Sequence, residues 1–176
     1  MRFVPNKFAA VLLMSAVAAC GQPTAQKPAG PVVTGEGYAG VKFGMTVAQA
    51  EAAIGNKLKP IGEGEGNCSY IEPEGPLKGA LFMVVDGTIA RLDVQENTTI
   101  VTDTGAKVGD SEQHVLDLYK GRTAVQPHKY TGPEGHYVLV LGPDGKAQIV
   151  FETDGGKVVS YRAGRQPEVE WVEGCS

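Results

Sequence analysis

Residues 40–55 read GVKFGMTVAQAEAAIG, and residues 105–119, about 65 positions later, read GAKVGDSEQHVLDLY. Each stretch has glycine, a small residue, lysine, an apolar residue and glycine, followed closely by a hydroxyl residue and a helical run. Repetition of a pattern at a fixed spacing indicates a repeated structural unit. The mature chain is therefore expected to hold two tandem units in one globular domain, repeat 1 at 38–100 and repeat 2 at 101–176.

Each unit is predicted to begin with a short helix. Thr46 and Gln49 have the spacing of a capping box, which predicts a helix over residues 47–54. Ser111 is a second N-cap candidate, and its helix is predicted to reach about Lys120. Ala48, Ala52 and Ala53 allow a close approach, so we expect the first helix to lie flat against a sheet.

Strand patterns follow each predicted helix. The dipeptide Asp86-Gly87 is a strong hairpin signal, since both residues tolerate the left-handed backbone of a tight turn. The main predicted strands are 67–72, 80–85, 88–94, 124–130, 136–141, 147–152 and 157–162, with a last extended segment at 168–175 that buries Trp171. The predicted fold class is α+β, with two tandem helix-plus-antiparallel-meander repeats and both helices on one face of the sheet.

The N-terminus has the pattern of an export signal. Arg2 and Lys7 precede a short apolar run, which predicts a signal peptide at 1–19. Residues 17–20 read VAAC and resemble a bacterial lipobox, which implies lipid attachment at Cys20; the alternative is an ordinary signal with an incidental cysteine. Residues 20–37 are predicted to form the lipidated N-terminus and a flexible tether, because they are rich in proline, glycine and polar residues.

Two cysteines, Cys68 and Cys175, remain once Cys20 is assigned to the lipid. Two cysteines in an oxidising, exported compartment most simply pair with each other, so we predict a disulfide. The alternative is that one of them is a reactive thiol, although neither lies beside a histidine or a predicted helix start.

The glycine turn, the helix and the glycine that ends it at position 55 resemble the BamE-type (SmpA/OmlA) lipoprotein unit. A tandem pair of such units resembles the fold of β-lactamase inhibitory protein. Residues 165–175, which read RQPEVEWVEGC, are similar to the end of small uncharacterised lipoproteins of Gram-negative bacteria, some of them labelled lectins. In Gram-negative lipoproteins an aspartate after the lipidated cysteine retains the protein in the inner membrane. Gly21 stands there instead, so the resemblance implies an outer-membrane location with the folded part in the periplasm.

Several classes of function lack their sequence signals. A net charge of −4 without a basic cluster argues against nucleic-acid binding. The chain has no serine-nucleophile elbow, no zinc-protease motif and no phosphate-binding loop. His114, His128 and His136 are too scattered to predict a metal site, and no cofactor is expected. We therefore expect a protein that is not an enzyme.

The expected binding surface is the sheet face that the helices leave open. Alternation along the strands selects candidates for this face, although it leaves open whether His136 or Tyr137, and Tyr161 or Arg162, point that way. The candidates are Tyr70, Arg91, Asp93, His136, Tyr161 and Arg162. Tyrosine and arginine are enriched at protein-binding hot spots, so an envelope protein is the expected partner, bound by an assembly accessory or inhibitor.

Two alternatives stay open. Aromatic and acidic residues on strands also suit a carbohydrate- or peptidoglycan-binding, lectin-like lipoprotein. Acid pairs such as Asp93 with Glu96, or Glu152 with Asp154, have the composition that glycoside hydrolysis uses, although strand ends in a protein with 20 acids offer many such pairs.

Lipidation of Cys20 is directly testable. We expect the intact mass of the protein from Gram-negative membranes to correspond to a diacylated or triacylated chain that begins at Cys20. Globomycin, which blocks lipoprotein signal cleavage, is expected to abolish that species. A mature chain that begins at another residue and carries no acyl group would contradict the prediction.

Overall fold

A computed structural model of the protein describes Met1 and residues 28–176. The predicted lipid attachment site Cys20, and nearly all of the predicted signal peptide, lie outside the described residues. Within the described part of the chain, no helix has the length and apolar character needed to cross a membrane.

The described residues contain ten strands and two α-helices. The strands are β1 (Gly37–Tyr38), β2 (Val41–Lys42), β3 (Leu58–Glu65), β4 (Cys68–Pro73), β5 (Leu81–Val85), β6 (Thr88–Val94), β7 (Thr123–Pro127), β8 (His136–Leu141), β9 (Ala147–Asp154) and β10 (Lys157–Gly164). The helices are α1 (Val47–Ile54) and α2 (Glu112–Leu118). Short 3₁₀ helices lie at Gly75–Leu77 and Glu168–Glu170.

Eight strands form one antiparallel sheet in the order β3-β4-β5-β6-β10-β9-β8-β7. At its centre β10 pairs with β6, with Arg162 directly opposite Asp93. The predicted α+β fold of two tandem helix-plus-meander repeats is therefore wrong. The described part is mainly β, since the eight-stranded sheet is its main element, β1 and β2 form a separate two-stranded sheet, and the helices span only eight and seven residues.

Local signals predicted α1 and the central hairpin well. Thr46 Oγ1 accepts from the Gln49 backbone N–H at 3.3 Å, and Gln49 Oε1 accepts from the Thr46 N–H at 2.9 Å, so the capping box is confirmed. The turn between β5 and β6 has φ of 51° at Asp86 and 75° at Gly87. This left-handed pair suits the twist of a two-residue hairpin.

The main core lies between the helices and one face of the sheet, here called the helical face. Ala50 of α1 and Val115 of α2 are buried in it with Phe82 and Phe151 from the sheet. Val33 is also fully buried, and its N–H donates to the Val101 carbonyl at 2.9 Å. The folded part thus includes residues ahead of the predicted boundary between 37 and 38.

Two regions depart from the strand predictions. Strand β3, at an edge of the sheet, was not predicted. Pro60, Gly62 and Gly64 weaken its strand pattern in the sequence, and almost all of the strand is exposed. The predicted extended segment at 168–175 is wrong, because it begins with a 3₁₀ helix and continues as turns. Trp171 was expected to be buried and is 37% exposed.

Glu112 fixes the start of α2 to the sheet. Its Oε2 atom accepts from Thr153 Oγ1 at 2.6 Å and lies 2.9 Å from Nδ1 of His136. Partial burial opposes the ionised form, but the hydrogen bonds from Thr153 and His136 outweigh it and hold the pKa of Glu112 below its ordinary value. The charged form therefore stabilises the folded state.

We expect Glu112→Gln to lower the free energy of unfolding by about 1 kcal/mol at pH 7, because a charge-assisted contact is lost at a partly exposed site. A lowered folded-state pKa adds stability above the unfolded pKa and loses it as the pH falls. The difference from wild type should therefore shrink below about pH 4.5, the ordinary value for glutamate. Urea unfolding from pH 3 to 7, with exposed Glu96→Gln as control, tests this; a difference independent of pH would contradict it.

Candidate binding site

The sheet face opposite the helices, here called the second face, is partly covered by the end of the chain. Residues 165–176, here called the C-terminal segment, lie across β6, β9 and β10. Val169 is fully buried there against Tyr137, Leu139 and Val150. The bare face expected from the sequence is therefore reduced to the area that this segment leaves open.

A disulfide joins the segment to the sheet. Cys175 is bonded to Cys68 at the start of β4, with the two Cα atoms 5.4 Å apart. The predicted pairing is confirmed. Cys175 packs beside a small apolar cluster that includes Met83 and Val85 on the second face. The last turn of the chain is thus fixed to a strand far from it in sequence.

Arg91 of β6 holds the middle of the C-terminal segment. Its guanidinium is almost fully buried, with the residue 2% exposed. Nη1 donates to the backbone carbonyls of Glu168 and Trp171 at 2.7 and 2.6 Å. Nε donates to Asp93 Oδ2 at 2.9 Å, and Nη2 donates to the Tyr70 hydroxyl at 2.7 Å.

Arg162 of β10 makes a parallel set of contacts. Nε donates to the Val169 carbonyl at 2.6 Å, Nη1 is bonded to the Glu152 carboxylate, and the guanidinium lies over the Tyr137 ring. Two arginines thus satisfy three backbone carbonyls of the C-terminal segment and hold it against the second face.

A groove with a volume of about 420 Å³ remains between the second face and the C-terminal segment. Its polar lining includes Tyr70, Arg91, Asp93, Gln95, Glu152, Ser160, Arg162 and Glu173. Ile61, Leu81 and Val172 add apolar surface. A shallower depression of about 580 Å³ lies on the other side of residues 172–174, beside Trp171 and Lys129.

Burial sets the electrostatics of the groove. It raises the pKa of the Asp93 carboxyl above its ordinary value, although the ion pair with Arg91 opposes the shift. Burial also raises the pKa of the Tyr70 hydroxyl, which therefore stays protonated at neutral pH. The groove combines paired charges with neutral hydrogen-bonding groups and carries no large excess of either sign.

Five of the six predicted binding residues line this groove: Tyr70, Arg91, Asp93, Tyr161 and Arg162. The side chains of Tyr161 and His136, however, lie on the helical face. Tyr161 is buried in the main core and donates from its hydroxyl to the Ile100 carbonyl at 3.0 Å. His136 contacts Glu112 of α2.

Sequence reasoning did not select Glu152, Ser160 or His128 for this site. Glu152 Oε2 accepts from Ser160 Oγ at 3.3 Å and lies 3.5 Å from His128 Nε2. Nδ1 of His128 accepts hydrogen bonds from the backbone N–H groups of Tyr130 and Thr131. Because Nδ1 acts as an acceptor, the ring proton is assigned to Nε2. The Glu152 carboxylate lies between Ser160 and His128. His128 therefore does not contact Ser160 and is not placed to activate it as a nucleophile. Ser160 of β10 is paired with Glu152 of β9. Knowledge of this strand register would have placed the two residues together.

No group of three or more potential metal ligands is brought together among the described residues. No family model, curated protein or solved structure matches the chain. The resemblance to BamE-type lipoproteins therefore rests on the sequence pattern alone.

We expect replacement of both cysteines, Cys68→Ser with Cys175→Ser, to lower the free energy of unfolding by about 4 kcal/mol. The bond closes a loop with a sequence separation of 107, which removes much conformational freedom from the unfolded chain. Guanidinium unfolding followed by fluorescence of the single tryptophan, Trp171, measures the change. Equal midpoints for the oxidised wild type and the double variant would contradict it.

Proposed function

We propose that the protein is a non-enzymatic lipoprotein, anchored to the outer membrane through Cys20, that binds an envelope protein as an assembly accessory or inhibitor. The binding surface is the groove together with the depression beside Trp171. The observation that carries this proposal is the groove itself, which brings buried arginines and a tyrosine to a surface bordered by the C-terminal segment.

The chemistry of this surface suits a protein partner. Tyrosine and tryptophan are among the residues most enriched at binding hot spots, and Tyr70 and Trp171 lie here. Ile61 adds an apolar side chain at the edge of the groove that is 40% exposed. A partner side chain that enters the groove would contact charged residues as well as apolar side chains.

The surface is also held in place before binding. The disulfide and the hydrogen bonds from Arg91 and Arg162 fix the C-terminal segment, which forms one wall of the groove. A wall that is already ordered costs little conformational entropy on association. This favours recognition by a rigid surface over folding of the segment on binding.

A glycan ligand is the second candidate. Carboxylate, guanidinium and hydroxyl groups line the groove, and exposed Trp171 lies next to it. Such groups bind sugar hydroxyls as well as polar groups of proteins. The test therefore includes a peptidoglycan arm.

We expect Ile61→Glu to reduce recovery of a cross-linked partner roughly tenfold, because a buried unpaired carboxylate costs more than 1.4 kcal/mol in an interface. The measurement is photo-cross-linking in intact envelopes, with the cross-linking residue placed at Val172 beside the groove. Val125→Glu is the matched control, since Val125 is 47% exposed on the opposite edge strand β7.

Equal recovery from Ile61→Glu and Val125→Glu would contradict the proposed surface. Retention of the purified protein on peptidoglycan sacculi, lost in Ile61→Glu and without any protein cross-link, would favour the glycan candidate.

A further inference from the structure

Strand β7 is an edge of the eight-stranded sheet that is open along its outer side. It pairs with β8 in a regular register, from Thr123 opposite Val140 to Pro127 opposite His136. Among the described residues, no strand pairs with its other side. An open edge presents backbone N–H and C=O groups that can pair with another chain. Strand β7 is therefore a candidate interaction surface.

The pairing with β8 determines which backbone groups of β7 face outward. Just after the strand, the His128 N–H donates to the Gly135 carbonyl at 2.9 Å. Bonded positions alternate along an antiparallel pair, so positions 126 and 124 also bond to β8. The groups that point away from the sheet are those of Thr123, Val125 and Pro127. Proline has no N–H, so the open edge offers the N–H groups of Thr123 and Val125 and all three carbonyls.

The opposite edge strand, β3, is protected against such pairing. It carries Lys59, Glu63 and Glu65, and its register with β4 shifts between Ile61 and Glu65. Charged side chains and irregular pairing are means by which natural sheets keep an edge from pairing with another chain. Residues 123–127 read TAVQP, carry no charge and pair with β8 without a register shift. Of the two edges, β7 is the one suited to accept a further strand.

The open edge of β7 is complementary to itself. Val125 presents both a donor and an acceptor, and the residue is 47% exposed. With a two-fold axis at Val125, the Val125 N–H of each copy donates to the Val125 carbonyl of the other. Each Thr123 N–H then meets the Pro127 carbonyl of the other copy, so both outward donors are paired. Because residues 123–127 are uncharged, no like charges meet between the paired strands, although the chain has a net charge of −4.

We propose that the protein binds a second copy of itself through antiparallel pairing of the two β7 strands. The pairing joins the two eight-stranded sheets into one continuous sheet. A two-fold contact between identical edges closes after two copies, so the product is a dimer and not a fibre. One five-residue strand per copy buries less than the roughly 1,200 Å² of a stable interface, so the dimer is weak and reversible.

The proposed dimer contact leaves the groove free. The residues that line the groove include none from β7 or β8. Dimerisation therefore goes beyond the partner binding proposed above and does not depend on it. Val125→Glu is expected to block the dimer and to keep recovery of the cross-linked partner, so the two proposals can fail separately.

The test is sedimentation velocity of the mature chain, residues 20–176, with Cys20→Ser so that no lipid is attached. We expect a dissociation constant of about 0.1 mM, so the protein is studied from about 10 µM to about 1 mM. The average mass should rise with concentration from that of a monomer towards that of a dimer. A monomer at every concentration, or a mass that grows beyond the dimer, would overturn the proposal.

Two variants place the contact on β7. Val125→Pro removes an outward N–H that β8 does not use, and Val125→Lys adds a charge to the edge. Each should raise the dissociation constant at least roughly tenfold, because central backbone bonds of the pairing are lost or a like-charge pair is created. Ile61→Lys, at a position that is 40% exposed on β3, is the control and should leave the constant unchanged. An unchanged dimer in either Val125 variant, or loss of the dimer in Ile61→Lys, would overturn the assignment to β7.

Amide hydrogen exchange checks the strand register. At low concentration the outward N–H groups of Thr123 and Val125 should exchange fast, because they have no partner in the described part of the monomer. Near 1 mM, where about four-fifths of the chains are paired at the expected affinity, these two amides should exchange several-fold more slowly. The inward amides at 124 and 126 should be protected at both concentrations. A dimer that leaves the exchange of Thr123 and Val125 unchanged would overturn the proposed pairing.

Discussion

The buried guanidinium of Arg91 is the interaction on which the second face depends. It lies on the central strand β6, and its donors reach an acid on the same strand, a tyrosine on β4 and two carbonyls of the C-terminal segment. Removing one partner of a buried charge is strongly destabilising, by about 3–5 kcal/mol. The planar fork of arginine suits this task, because one side chain bonds groups in several directions. Lysine has no such fork.

This anchoring turns a sheet face into a groove. Carbonyls of the C-terminal segment bond arginine side chains, so the segment crosses the strands and leaves space beside it. The disulfide from Cys175 to Cys68 fixes its far end, and buried Val169 fixes its start. The two arginines that hold the segment also line this groove. Structure and proposed recognition therefore share one set of side chains.

Local signals in the sequence predicted the turn at Asp86-Gly87 and the full extent of α1, because turn and capping residues act over a few positions. Alternation also placed Arg91 and Asp93 on one face. It left the choice between Tyr161 and Arg162 on β10 open. A register shift between Val158 and Ser160 moves the later side chains to the opposite faces, so Tyr161 is buried and Arg162 lines the groove. The continuous eight-stranded sheet and the path of the C-terminal segment depend on contacts between distant residues, which no local pattern contains.

The role of Arg91 is tested most directly by hydrogen exchange of the C-terminal segment in an Arg91→Met variant with the disulfide intact. In the wild type the amides of Val169 and Trp171 are hydrogen-bonded within the segment and should be protected. In the variant we expect residues 165–172 to exchange at least roughly tenfold faster, because the bonds that hold the segment to the sheet are lost. Strand β9 should keep its protection. Equal protection of the segment in both proteins would contradict the central role given to this arginine.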